Sequence, residues 1–152
     1  MNYWLFKSEP DEYSIDDLAA ESSGTGCWNG IRNYQARNIL RDQVRKNDRV
    51  FIYHSSCKVP GIAGIAKVTR TAYPDPAQFD MNSPYYNAKS SSEQPRWVCV
   101  DIAFVKKFDD VVSLKTLKAE AGLADMVLLK QGRLSVQPVT SEQWQLILSL
   151  AK

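Results

Sequence analysis

Apolar and polar positions divide the chain into short segments of differing period. Tyr3 to Phe6 is aromatic and β-prone, and predicts a first strand. Ser14-Ile15-Asp16-Asp17 has the form of a capping box, with Ser14 at the N-cap, and predicts a short helix. The stretch Ser22-Ser23-Gly24-Thr25-Gly26 then reads as a flexible loop that delivers Cys27-Trp28-Asn29-Gly30. Asn33 is placed to cap a helix to about Val44, with Ala36, Ile39, Leu40 and Val44 on one face and Arg37, Arg41 and Arg45 on its neighbour. Arg49 to Tyr53 predicts a strand that ends in His54-Ser55-Ser56.

Gly61 to Tyr73 reads as a long β segment, bent or closely approached at Gly61 and Gly64. Pro74-Asp75-Pro76 breaks it. The longest irregular stretch follows, through Tyr85-Tyr86 to Gln94, and long loops in compact domains are often functional. Trp97 to Phe108 is nearly all apolar, the pattern of a strand buried on both sides. Ser113 caps a helix from Leu114 to about Ala121, Leu134 to Val139 gives a short strand, and Thr140 with Gln143 opens a last helix carrying Trp144, Ile147 and Leu148. Five or six strands that do not alternate regularly with long helices argue against a doubly wound parallel sheet. Long strands with glycines point instead to a small closed or half-closed barrel. The expectation is one α+β domain over residues 1–152, a β-barrel of about five to six strands with flanking short helices.

Composition narrows the chemistry. A hydrophobic share of 44% and a charged share of 24% exclude a disordered chain. With 19 basic and 17 acidic residues the net charge is only +2, so nucleic-acid binding has to come from how charges are arranged. Cys27, Cys57 and Cys99 form no CxxC pair, which leaves neither a disulfide framework nor a zinc ribbon; reduced thiols in a cytoplasm are the simplest reading. The first residues lack the pattern of a signal peptide, and the apolar run from Trp97 to Val105 is too short to span a bilayer.

His54 is the single histidine, so a Ser-His-Asp or Cys-His mechanism must use it. No G-x-S-x-G elbow accompanies it, and a strand-end histidine with hydrogen-bonded ring nitrogens accounts for it as well. A hydrolase using His54 is therefore only an alternative. His54 and Cys57 supply at most two metal ligands, and no Gly-rich phosphate loop is present, so no metal or cofactor is implied.

Other segments fit binding better. Lys7-Ser8-Glu9-Pro10 follows the first strand, Trp28-Asn29-Gly30-Ile31-Arg32-Asn33 lies between a loop and a helix start, and Arg96-Trp97 opens the central strand. A nucleobase needs a flat apolar face and fixed polar groups for its edge. Trp28, in a glycine-flanked loop, is either such a platform or packing for the helix after it. Arg32 and Arg37 are candidates for phosphate contacts at a helix N-terminus, and Arg41 and Arg45 either extend that track or form a solvated helix face. Trp4 and Trp144 read as core; Tyr85-Tyr86 is either a pocket cover or a loop anchor.

These segments carry a resemblance. Trp4-Leu5-Phe6-Lys7-Ser8-Glu9-Pro10, Trp28 to Arg37, Tyr53-His54-Ser55, Pro95-Arg96-Trp97 and Arg133 to Val139 together resemble the EVE domain, a member of the PUA-like superfamily related to YTH domains. The resemblance implies a PUA-like barrel and a non-catalytic pocket for a modified base, with modified cytosine in DNA the leading ligand; YTH domains hold a methylated adenine of RNA. It also implies that Lys7, Ser8 and Glu9 line the pocket, that Trp28 is a stacking wall near Gly30 and Arg32, that Asn33, Tyr53, His54 and Ser55 supply polar contacts, and that Arg96 and Trp97 close the far side. The pocket is expected to have a basic rim, with Arg37, Arg41 and Arg45 on the nucleic-acid backbone. An RNA-binding module and a binder of a small anionic metabolite are the alternatives, and a monomer is expected. Asn87-Ala88 departs from the family pattern, where Asp-Pro would stand.

Overall fold

A computed structural model describes residues 1–93 and 95–151; Gln94 of the long loop and Lys152 lie outside them. Six strands form one sheet: β1 (Tyr3–Ser8), β2 (Thr25–Trp28), β3 (Arg49–His54), β4 (Gly61–Pro74), β5 (Val98–Ser113) and β6 (Val136–Val139). Their order is β2-β5-β4-β3-β1-β6. Five helices flank it: α1 (Ile15–Ala20), α2 (Tyr34–Asp42), α3 (Leu114–Ala119), α4 (Val127–Lys130) and α5 (Ser141–Leu150). The expected α+β class holds. Closure does not: β2 and β6 are the two ends of the order and do not pair with each other. Instead α2 touches β4, β5 and β6 at once, so the sheet curves around that helix.

Period-two alternation distributes the strands' side chains between two cores. Trp4 and Phe6 of β1 and Val50 and Ile52 of β3 join Ala36, Leu40 and Trp28 on one face. Leu5, Phe51 and Tyr53 join Trp144, Ile147 and Phe108 on the other. β1 and β3 are therefore apolar at consecutive positions, Tyr3 to Phe6 and Val50 to Tyr53, and they pair in parallel with Leu5 opposite Phe51. Both capping boxes form as read from the sequence, at Ser14 with Asp17 and at Thr140 with Gln143.

Three expectations are corrected. Residues 25–28 are not loop but the edge strand β2, antiparallel to β5 with Trp28 opposite Val100. Trp28 is consequently buried, at 5% exposure, rather than displayed. The second long strand begins at Val98, not Trp97, and is buried on both sides only in its first half; Val105 to Lys107 are exposed. Its pairing with β4 shifts register repeatedly, and the far half keeps only one face buried, through Phe108 and Val112.

Candidate functional site

The C-terminal end of β1, the end of β2 and the segment leading into α2 meet around a cleft of about 800 Å³. Each wall has a local cause. β1 delivers Lys7 and Ser8 because it is held on both sides: Lys7 pairs with Tyr53, and its amide donates to the Ser135 carbonyl at 2.9 Å. β2 delivers Trp28, whose ring lies between Phe6 (centroids 5.5 Å apart) and Tyr13 (5.9 Å, edge-on). Gly26 on the same strand lets Tyr13 pack this closely, since a Cβ there would push the Tyr13 hydroxyl aside.

The third wall joins Gly30, Arg32 and Tyr85 to a residue that the sequence did not single out as part of the site, Asp75. Asp75, fully buried, accepts from the Gly30 amide (2.9 Å) and from Arg32 Nη1 (3.0 Å) through one oxygen and from the Ala77 amide (2.8 Å) through the other. Arg32 also donates to the Tyr85 carbonyl from Nε (3.1 Å) and Nη2 (2.8 Å). Tyr85 is thereby laid over Gly30, which has φ +80° and room for no Cβ: one would come within 2.9 Å of the ring. Of the two readings of Tyr85, the geometry favours a cleft wall.

The long loop behind Tyr85 is anchored by Gln78. This buried amide donates to the carbonyls of Asp75 and Trp97 and accepts from the amides of Arg96 and Trp97, using all four of its hydrogen-bonding positions. No polarity pattern in the sequence marks Gln78. Asp75 had a weak signal: an Asp before Pro that caps the turn Pro76–Phe79.

Lys7, Ser8, Glu9, Trp28, Gly30, Arg32, Asn33 and Ser55 all border the cleft. Tyr53, His54, Arg96 and Trp97 are placed elsewhere. Tyr53 is buried in the second core and lies under the Lys7 ammonium, 5.4 Å from it. His54 Nε2 accepts the Ile15 amide at 3.1 Å, capping the free first N–H of α1. That bond requires a neutral ring protonated on Nδ1, and burial holds the His54 pKa below its ordinary value. The hydrolase alternative has no support from this arrangement. Trp97 is buried and stacks on Tyr34 with ring centroids 4.8 Å apart.

The helix ends at Asp42, short of the expected Val44, so Arg45 lies beyond α2, and all three arginines of the row are engaged in local bonds. Arg41 pairs with Asp42 at 2.8 Å, and Arg45 caps the Asp42 carbonyl at the helix C-terminus, also at 2.8 Å. Arg37 donates to the Arg96 carbonyl at 3.1 Å.

The rim is of mixed sign and not simply basic. Lys7, Arg32 and Arg133 border the cleft together with Glu9, Glu12 and Glu21. Burial lowers the Lys7 pKa, and its ammonium donates to the Gly132 carbonyl. Glu21 accepts from the Tyr13 hydroxyl at 3.0 Å. The cleft thus pairs apolar ring faces with both acceptors and donors, which suits a flat heteroaromatic ligand having both kinds of group on its edge. Among the described residues no group of three or more His, Cys, Asp or Glu is arranged to hold a metal ion, and no helix is long and apolar enough to cross a membrane.

A family model for the EVE domain matches residues 2–150 of the chain. Thymocyte nuclear protein 1 of Mus musculus is 46% identical over 166 aligned residues, covering 98% of this chain and 73% of the mouse protein. Among solved structures, a Leishmania major protein superposes with a TM-score of 0.95 at 45% identity, covering 99% of this chain and 94% of the other. The human THYN1 protein in complex with DNA containing 5-methylcytosine superposes with a TM-score of 0.94 at 41% identity, covering 99% of this chain and 97% of the human one.

Proposed function

Because this chain belongs to the EVE domain family, we propose that it is a non-catalytic module that binds DNA carrying a modified cytosine and takes that base into the cleft beside Trp28. The observation that carries the proposal is the likeness, at a TM-score of 0.94, to a protein solved with 5-methylcytosine DNA, in a chain whose own cleft is walled by Trp28 and Tyr85.

The chemistry of the lining supports a cytosine. Its exocyclic amine is a donor that carboxylates accept well, and Glu9, Glu12 and Glu21 border the cleft. Its ring nitrogen and carbonyl are acceptors, for which Lys7 and Arg133 are donors on the same rim. Turning a base out of the stack costs a few kcal/mol, and stacking on an aromatic wall returns about 1–3 kcal/mol. A methyl group buried in an apolar niche adds about 0.8 kcal/mol, or roughly fourfold in affinity, so polar contacts to the base edge must set most of the affinity.

The test is an equilibrium titration of the protein with matched oligonucleotides bearing cytosine or 5-methylcytosine. The methylated strand is expected to bind about fourfold tighter or better. Equal affinity for the two strands across a salt series would overturn the reading. A steep loss of binding with salt for the oligonucleotide, absent for the free nucleoside, separates a polymer ligand from a small metabolite.

A further inference from the structure

Beyond Tyr85 a column of flat groups runs out from the cleft to the surface of α2. The Arg32 guanidinium lies 5.3 Å from the Tyr85 ring and 5.4 Å from the Trp97 ring. Trp97 stacks on Tyr34 at 4.8 Å with 28° between the planes. The Arg37 guanidinium lies 4.7 Å from the Tyr34 ring and is steered there by bonds to the Arg96 carbonyl and to Asn38 Oδ1. Beyond Trp97, exposure rises from 5% at that residue to 51% at Tyr34.

Local structure does not call for Tyr34. The cap of α2 is supplied by Asn33, whose side chain accepts from the Ala36 amide, and the buried face of the helix is Ala36, Ile39 and Leu40. Tyr34 is instead half exposed, with its ring backed by a buried indole that fixes its plane. Asn33 borders the cleft and Tyr34 directly follows it. Tyr34 thus stands where the lining of the cleft ends on this segment. Aromatic rings and guanidinium planes are the two side-chain surfaces on which unpaired bases stack, and the arginine gives the platform the sign an anionic strand requires.

We propose that the Tyr34 ring, with the Arg37 guanidinium across it, is a second stacking platform that takes the nucleotide adjoining the one held in the cleft. The unit recognised is then a two-nucleotide step, and affinity depends on the neighbour of the modified base. This rests on the base-binding reading of the cleft.

The experiment compares the parent, Tyr34→Ala and Tyr34→Phe for binding to 5-methyl-2′-deoxycytidine and to a single-stranded oligonucleotide containing it, at several salt concentrations. The readout is the ratio of oligonucleotide to nucleoside affinity. Tyr34→Ala is expected to lower that ratio about tenfold, toward the low end of what one stacked base contributes, without changing the salt slope; Tyr34→Phe keeps the ratio. An unchanged ratio in Tyr34→Ala overturns the platform, whether both affinities hold or both fall together, the latter meaning that the ring only props Trp97 and Arg32. A salt slope smaller by about one marks a phosphate contact and also overturns it. A parent that binds neither probe refutes the cleft reading itself, and this inference with it.

Discussion

The Asp75 carboxylate and the Arg32 guanidinium meet at 3.0 Å, with the Asp75 side chain fully buried and Arg32 at 21% exposure. The pair joins the β4–β5 excursion to the segment that enters α2, and so fixes one wall of the cleft. Asp75→Asn keeps the shape and removes the charge, leaving a largely buried guanidinium without its partner. Removing one member of a buried pair costs about 3–5 kcal/mol; the partial exposure of Arg32 puts the expected loss near the lower figure. Denaturant unfolding measures it, and an unchanged midpoint would mean that the pair does not hold the wall.

Gly30→Ala tests the contact between Gly30 and Tyr85. The backbone there is left-handed, a conformation that costs an ordinary L-residue about 1–2 kcal/mol, and the new Cβ would meet the Tyr85 ring at 2.9 Å. The ring has to move. The expected result is a modest fall in melting temperature with a larger fall in affinity for the methylated oligonucleotide. Parent-like affinity would remove Tyr85 from the ligand-facing wall.

Trp28 has to be probed with care because it belongs to the core as well as to the cleft. Reading the chain as an exposed loop predicts that Trp28→Ala spares the fold. Burial at 5% exposure reverses that: a buried Trp→Ala change costs about 3–5 kcal/mol. Trp28→Phe is the informative variant, expected to keep a cooperative unfolding transition while weakening base binding. If Trp28→Phe binds the methylated strand as tightly as the parent, the indole is only a core residue.

Stability should fall on acidification partly through His54. Burial depresses its folded pKa below the unfolded value of about 6.5, so the unfolded chain binds the proton more readily. The bond from the Ile15 amide to Nε2 therefore contributes fully above about pH 6.5 and is lost as pH falls through the depressed folded value. His54→Gln should flatten this part of the stability–pH curve, the part that begins as pH falls below about 6.5. A curve of unchanged steepness would mean that other groups carry the dependence.

The sequence carried the elements with a strong local signature and missed those defined from a distance. The capping boxes at Ser14 and Thr140, the apolar face of α2 and the strand-forming runs of β1 and β3 are short-range patterns, and all form. β2 was hidden because Gly24 and Gly26 read as loop, although Gly26 and Trp28 both point inward at a spacing of two. The glycine serves close packing against Tyr13 and not flexibility. Lys7 to Glu9 and Trp28 to Asn33 were legible as one site through their motif. Asp75 and Gln78 were not, because their roles are set by partners up to tens of residues away, and a single buried polar side chain leaves no periodic trace; Tyr85 was marked by the sequence, but its place over Gly30 was not.

β1 is the strand that brings Lys7 and Ser8 to the cleft, and it sits between β3 and β6. Its neighbours come from the middle of the chain and from near residue 138, so this wall assembles only after contacts of very long sequence separation have closed. Such closures are slow to form. A nascent chain still lacking β6 would expose an unpaired backbone edge at β1, with Ser135 not yet available to the Lys7 amide. Competence to bind is thereby coupled to the emergence of β6 during synthesis.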